Sequence, residues 1–522
     1  MQIRRTLILT AIMAVLIALP LSAQWPMSEK LDLDAIYRIK DEGLQRSKVM
    51  EIESYLTDVY GPRLTGSPNI KEAGDWAMKT MKDWGLANVH EETWPFGRGW
   101  QSQRFTANAV TPRAYPLIAY PKAWTPGSNG PVTGDAVIAV INEEKDFAEF
   151  KGKLRGKYVL VMPMREVTPH FEPQGHRYTD AELADLAKQP AAGGRGRGNF
   201  GGAQEFNRKK TQFFVDEGVA AVLDFSRGDG GTVFVQAAQG VSRDPKGPPQ
   251  PPQVTLTVEH YGRIWRTLEK KIPVTLNMDI ANTFYDADQN AFNIVAELPG
   301  TDKADEVVMI GGHFDSWHTG TGATDNAAGS AVMMEAMRLL KVSGVKLRRT
   351  VRIGLWGGEE EGLLGSKEYI KAHYGDPATM VLKPEHAKLA GYFNVDNGTG
   401  LIRGVYLQGN EAAAPIFQQW MEPFKNMGMT TVTIRNTGGT DHLSYDAVGL
   451  PGFQFIQDEV EYDSRTHHSN MDTYERVQAN DMMRNAVIVA SLVMNAANRD
   501  DKLPRKPLPK PTPPAGRGTS QP

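Results

Sequence analysis

The side chains able to do chemistry gather at the ends of apolar runs. His313 and Asp315 close VVMIGGHFD, Glu359 and Glu360 close VRIGLWGGEE, and Asp396 closes LAGYFNVD. His468 follows GFQFIQD and the QDEVEYDSRTH stretch, and Asp325 opens the segment DNAAGSAV. Taken singly these residues have ordinary explanations: Asp325 as a helix N-cap, His313 as a core histidine, WGGEEEG as a charged turn. Together at successive strand ends they need a partner, because unpaired buried charges are costly. A pair of divalent cations is such a partner, and a mix of carboxylate and imidazole favours zinc over magnesium. The chain has no Cys, so thiolate ligands, a cysteine nucleophile and disulfides are excluded. It also lacks a G-x-S-x-G elbow and a P-loop.

The elements that must position these groups lie between about Phe292 and Ala497. NIVAELP, EVVMIGG, VRIGLWGG, LAGYFNVD, TVTIRNT and GFQFIQD read as strands. AAGSAVMMEAMRLLKVSG, GLLGSKEYIKAHYG, APIFQQWMEPFKNMG and RVQANDMMRNAVIVASLVMNAA read as helices between or after them. Apolar strands separated by helices give an α/β fold, a largely parallel sheet covered by helices, which binds ligands outside the carboxyl ends of its strands.

Upstream, helical spacing runs through Ile36, Ile39, Val49, Ile52, Leu56 and Val59, and a second helix is expected over about 69–84. From 132 to 272 the texture turns to short β-rich runs, DAVIAVI, KYVLVMP, VAAVLDF and VTLTV, interrupted by the glycine-rich loop 190–202. Arg4 and Arg5 precede an apolar run from Thr6 to Leu21 ending in Ser22 and Ala23, the pattern of a secretory signal peptide cut after Ala23. The expected product is secreted or periplasmic, with no stable membrane anchor. The segment 501–522 carries seven prolines and reads as a disordered tail. A formal net charge of -3 gives no general attraction to nucleic acid, and none is expected as a partner.

GGHFDSWHTGTGATDNAAGS, WGGEEEGLLGS, FNVDN and THHSNMDTY, with YGPRLTGS at 60–67, resemble the M28 family of co-catalytic zinc exopeptidases. The resemblance implies two zinc ions per chain, His313 and Asp396 on one, Glu360 and His468 on the other, and Asp325 between them. It makes Glu359 the catalytic carboxylate, Asp315 the carboxylate that orients His313, and the Asp325–Asn326 bond cis. His468 is chosen over His467 because His468-Ser469-Asn470-Met471-Asp472 fits the family pattern. His467 is then a neighbour that steadies the oxyanion, and Asp472 either supports the ligands or caps the next helix. Asp441 and His442 are expected substrate contacts at the mouth, with a loop hydrogen-bond network as the alternative. The implied organisation is a signal peptide at 1–23, an N-terminal helical segment at 24–124 contributing to the peptidase domain, a protease-associated domain at 125–270, the catalytic domain at 271–500 and the tail at 501–522. The implied substrates are dipeptides or short peptides with free termini, and a homodimer is expected.

An aminopeptidase is the close alternative, and an inactive peptide-binding scaffold is the alternative outside enzymes. The scaffold would lack a ligand or the base, whereas all six positions are filled. A deacylase or a glutaminyl cyclase-like enzyme is disfavoured by the complete set for two ions.

Overall fold

The computed structural model describes residues 28–191 and 201–512. The apolar leader, most of the glycine-rich loop and residues 513–522 lie outside the described residues.

The apolar runs form one eight-stranded sheet. Its order is Ala87–Pro95, Asn290–Leu298, Arg349–Trp356, Lys303–His313, Leu389–Asn394, Gly452–Gln457, Ile402–Tyr406 and Thr431–Thr433. The four central strands run parallel, with His313 beside Trp356, Gly311 beside Asn394, and Asn394 beside Gln454. That register lines up their carboxyl ends. Both faces are covered, which is why these strands read as unbroken apolar runs. Along Lys303–His313, Val308 and Ile310 enter the larger core with helices Ala328–Val342 and Ala479–Asn498, while Val307 and Met309 enter a second cluster with Tyr369, Tyr392 and Tyr445. The sheet is more mixed than the expected largely parallel one. The Ala87–Pro95/Asn290–Leu298, Asn290–Leu298/Arg349–Trp356 and Ile402–Tyr406/Gly452–Gln457 pairs are antiparallel.

The helix expected over 69–84 forms at Pro68–Asp83; Ser67 Oγ accepts the Ile70 N–H at 3.4 Å, and Pro68 occupies the first turn. The β-rich middle runs join a second eight-stranded sheet, which also takes in Gly99–Thr111 and Thr275–Tyr285. The helices Phe147–Phe150, Asp180–Ala187, Gly201–Glu217 and Val258–Glu269 lie within this block. VTLTV is therefore not a strand to its end: Thr257 Oγ1 accepts the His260 N–H at 3.3 Å and starts a helix at Val258.

The proline-rich end departs from expectation as far as it is described. Leu503 is 3% exposed, and its N–H donates to Ala390 O at 3.2 Å. Arg505 Nη2 donates to the carbonyls of His386 and Leu389 at 2.8 and 2.7 Å. Gly391 leaves the space Leu503 fills; a Cβ there would stand 2.8 Å from Leu503 Cδ1. Leu503 against this glycine and the hydrogen bonds of Arg505 together fold back a segment whose composition reads as solvated. Leu503→Ala should lower stability by about 2–3 kcal/mol in urea unfolding, and a chain ended after Asp501 should lose at least as much. Unchanged midpoints in both would return the segment to solvent.

Candidate metal centre

His313 is the last residue of its strand and is 1% exposed. Its Nε2 stands 3.1 Å from Asp325 Oδ1 and 3.2 Å from Asp396 Oδ1. Asp325 lies in the turn leading into helix Ala328–Val342, across a cis bond to Asn326. Its other oxygen, Oδ2, is 3.2 Å from His468 Nε2, and His468 Nε2 is 2.9 Å from Glu360 Oε2. His467 Nε2 is farther from Asp325 Oδ2, at 3.8 Å. Two groups of ligand atoms thus meet at one carboxylate.

The donor chemistry fits divalent zinc. Glu360 Oε1 is buried without a hydrogen-bond partner and Asp325 Oδ2 faces only the His468 imidazole at 3.2 Å, so this packing leaves acceptor capacity that a cation would meet. The electrostatics carry the same strain. Burial pushes the carboxyls of Glu359 and Glu360 well above the usual range, with nearby Asp396 and Asp325 adding to it. Burial would do the same to Asp325, but hydrogen bonding with His313 and His468 outweighs it and holds Asp325 well below. Burial would lower His313, and the charges of Asp396 and Glu359 reverse that.

The remaining expected residues sit as follows. Asp315 is fully buried, but the atom nearest His313 Nδ1 is its backbone carbonyl at 3.0 Å, with the carboxylate at 3.6 Å. The carboxylate instead accepts the N–H groups of Glu359 and Glu360 at 3.2 and 3.3 Å, so it fixes the turn that carries both glutamates. Asp472 accepts the Thr324 and Asp325 N–H groups at 2.6 and 3.1 Å, supporting the ligand-bearing turn and not capping a following helix. Asp441, expected with His442 to contact substrate, lies near enough to Glu359, His313 and Asp396 for their charges to act on one another. Asp441 and His442 are both 0% exposed, at the start of helix His442–Asp446 packed against the sheet.

Four residues escaped the sequence reading. Arg63, fully buried, donates to the carbonyls of Phe314 at 2.8 Å, Leu56 at 2.7 Å, Thr321 at 3.0 Å and Gly322 at 2.9 Å, clamping the loop between His313 and Asp325. Thr65 donates to Asp315 Oδ2 and accepts the Gly358 N–H, each at 3.0 Å. Both belong to YGPRLTGS, the signal that could have found them. Glu361 is buried, and its carboxyl is pushed up to about 8 by burial, with Asp315 adding to it. Gln236 Nε2 lies 2.9 Å from His468 Nδ1. Beside the centre opens a cleft of about 1200 Å³ whose walls include Phe96, Trp124, Arg243, Trp317 and Glu360.

With this geometry in hand, comparison with known proteins is informative. The model of Peptidase family M28 matches residues 293–493. Carboxypeptidase Q of Mus musculus is 26% identical over 477 residues, covering 90% of each chain. Among solved structures, a Peptidase M28 precursor from Shewanella amazonensis superposes with TM-score 0.65 at 22% identity, covering 92% of this chain and 99% of that one. BSAP, a zinc aminopeptidase from Bacillus subtilis, gives TM-score 0.56 at 18% identity, covering 87% and 95%.

Burial drives the His442 imidazole down to about 4. Below pH ~6.5 the unfolded chain takes up a proton that the folded one refuses. Stability should therefore fall as pH drops from about 6.5 to 4, at up to about 1.4 kcal/mol per pH unit from this group. Urea unfolding across that window should show a shallower slope for His442→Gln; an equal slope would contradict a neutral buried imidazole.

Proposed function

We propose that this chain, whose residues 293–493 match the model of Peptidase family M28, is an exported two-zinc exopeptidase of carboxypeptidase Q type acting on dipeptides or short peptides with free termini. One ion is held by His313 and Asp396, the other by Glu360 and His468, and Asp325 serves both. The observation that carries this reading is the sharing of Asp325: Oδ1 faces His313 and Oδ2 faces His468.

Zinc at this centre supplies Lewis acidity, which eases proton loss from water and polarises the scissile carbonyl. Glu359 accepts the proton as water adds to the carbonyl carbon, then delivers it to the departing nitrogen as the C–N bond breaks. Burial drives its carboxyl upward, which favours taking up a proton by the group that must later give it back. Asp315 keeps Glu359 and Glu360 on one turn, Asp472 keeps Asp325 in place, and His467 lies near enough to Asp325 to reach the same space. The middle block acts as the protease-associated domain that narrows access; its sheet runs from Gly99–Thr111 to Thr275–Tyr285, wider than the expected 125–270, so the chain before it and after it makes the catalytic body. The leader 1–23 directs export; among the described residues no helix is long and apolar enough to cross a membrane.

Preference for a free carboxylate is supported by the cleft. Its basic side chain, Arg243, stands 4.4 Å from the Phe96 ring and 5.8 Å from the Trp124 ring, with the charge of Glu361 acting on it. An aromatic-backed guanidinium of this kind suits a carboxylate.

Glu359→Gln should lower kcat about 10²–10⁴-fold while both zinc ions remain bound; near-normal kcat with full metal would remove Glu359 as base. His468→Ala should release far more zinc than His467→Ala in metal analysis. Arg243→Gln should raise KM for a free dipeptide and leave that for its C-terminal amide unchanged. A wild-type enzyme that prefers the amide, or a peptide long enough to miss Arg243, would favour the aminopeptidase reading.

A further inference from the structure

His468 is held from outside the stretch that matches the family. The segment Val233–Gln236 of the middle block runs alongside 468–470. Val235 N–H donates to His468 O at 3.0 Å, Phe234 and Ser469 form an antiparallel bridge, and Val233 N–H donates to Asn470 Oδ1 at 2.7 Å. This pairing brackets an uncommon backbone: His468 has φ +67°, the left-handed region that non-glycine residues seldom occupy without support from their surroundings. The ring is bracketed as well. Trp317 stands edge-on to it with centroids 6.1 Å apart, and the Gln236 amide meets Nδ1 at 2.9 Å.

We propose that Gln236 is a positioning residue for the metal ligand His468, so that the middle block takes part in building the zinc site. The inference rests on the two-zinc reading above. A histidine that binds a cation through Nε2 keeps its proton on Nδ1 and must donate it. The amide nitrogen now faces Nδ1, which makes Nδ1 the acceptor and leaves Nε2–H to donate toward Glu360 and Asp325. A half-turn of the amide exchanges its nitrogen for its oxygen and offers Nδ1–H an acceptor. Gln236 can serve both states because an amide carries a donor and an acceptor at one place.

The test is an equilibrium zinc titration with a competing chelator on wild type, Gln236→Met, Gln236→Glu and His468→Ala, read at the binding step that His468→Ala abolishes. Met keeps the length without a polar atom, whereas Glu is an obligate acceptor for Nδ1–H. Met should weaken that step about 10–100-fold, and Glu should bind within a few-fold of wild type or tighter. The other zinc step and the melting temperature of the metal-free protein should not move. A packing role predicts the reverse order, Met tolerated and Glu disruptive, and would overturn the inference, as would equal affinity in all three. If wild type binds no zinc, or His468→Ala abolishes no step, the metal reading itself fails and takes this inference with it.

Discussion

Five carboxylates, Asp315, Asp325, Glu359, Glu360 and Asp396, are crowded into the end of one sheet with two imidazoles between them. Like charges at such separations in a low-dielectric interior repel by amounts comparable with the whole stability of a domain, so the fold must either neutralise them or hold them against that repulsion. It does both. Backbone N–H groups are turned toward Asp315 and Asp472, and the imidazoles are set between the remaining oxygens. What these partners leave over, at Asp325 Oδ2 and Glu360 Oε1, is the capacity that a cation would meet.

Holding the charges falls to chain that carries none of the reacting groups. Arg63 ties together four carbonyls around the loop that joins His313 to Asp325, and Thr65 links Asp315 to the turn at Gly358. The N-terminal segment is thus part of the centre's frame. Loss of Arg63 would leave several buried acceptors unpaired at once, a larger loss than any single contact suggests.

The strand-end residues could be read from the sequence because the signal is local: an apolar run stops and a carboxylate or imidazole follows within two residues. The parallel core was legible for the same reason, since strands buried on both faces show no alternation. Arg63, Thr65 and Gln236 were not legible, because each is an ordinary residue type whose meaning comes from a partner more than 230 positions away. For Asp441 and His442 the sequence offered residue type alone. Their types suggested substrate contact, and a short helix turns both into the interior. VTLTV and the proline-rich end show the same limit, one decided by a capping threonine and the other by Leu503 seated against Gly391 and Arg505 donating to distant carbonyls.

The two sheets are joined by two short crossings, from Pro95 to Gly99 and from Tyr285 to Asn290. The crossings lie side by side, with the N–H groups of Phe96 and Gly97 both donating to Gln289 O at 2.9 Å. These crossings pin the middle block to the catalytic sheet at one place, and the pairing of Val233–Gln236 with 468–470 and of His176 with Val460 pins it at others. The crossings also form part of the wall of the cleft, since Phe96, Gly97 and Gln289 all face it. A guest in the cleft therefore rests on the same residues that join the two sheets.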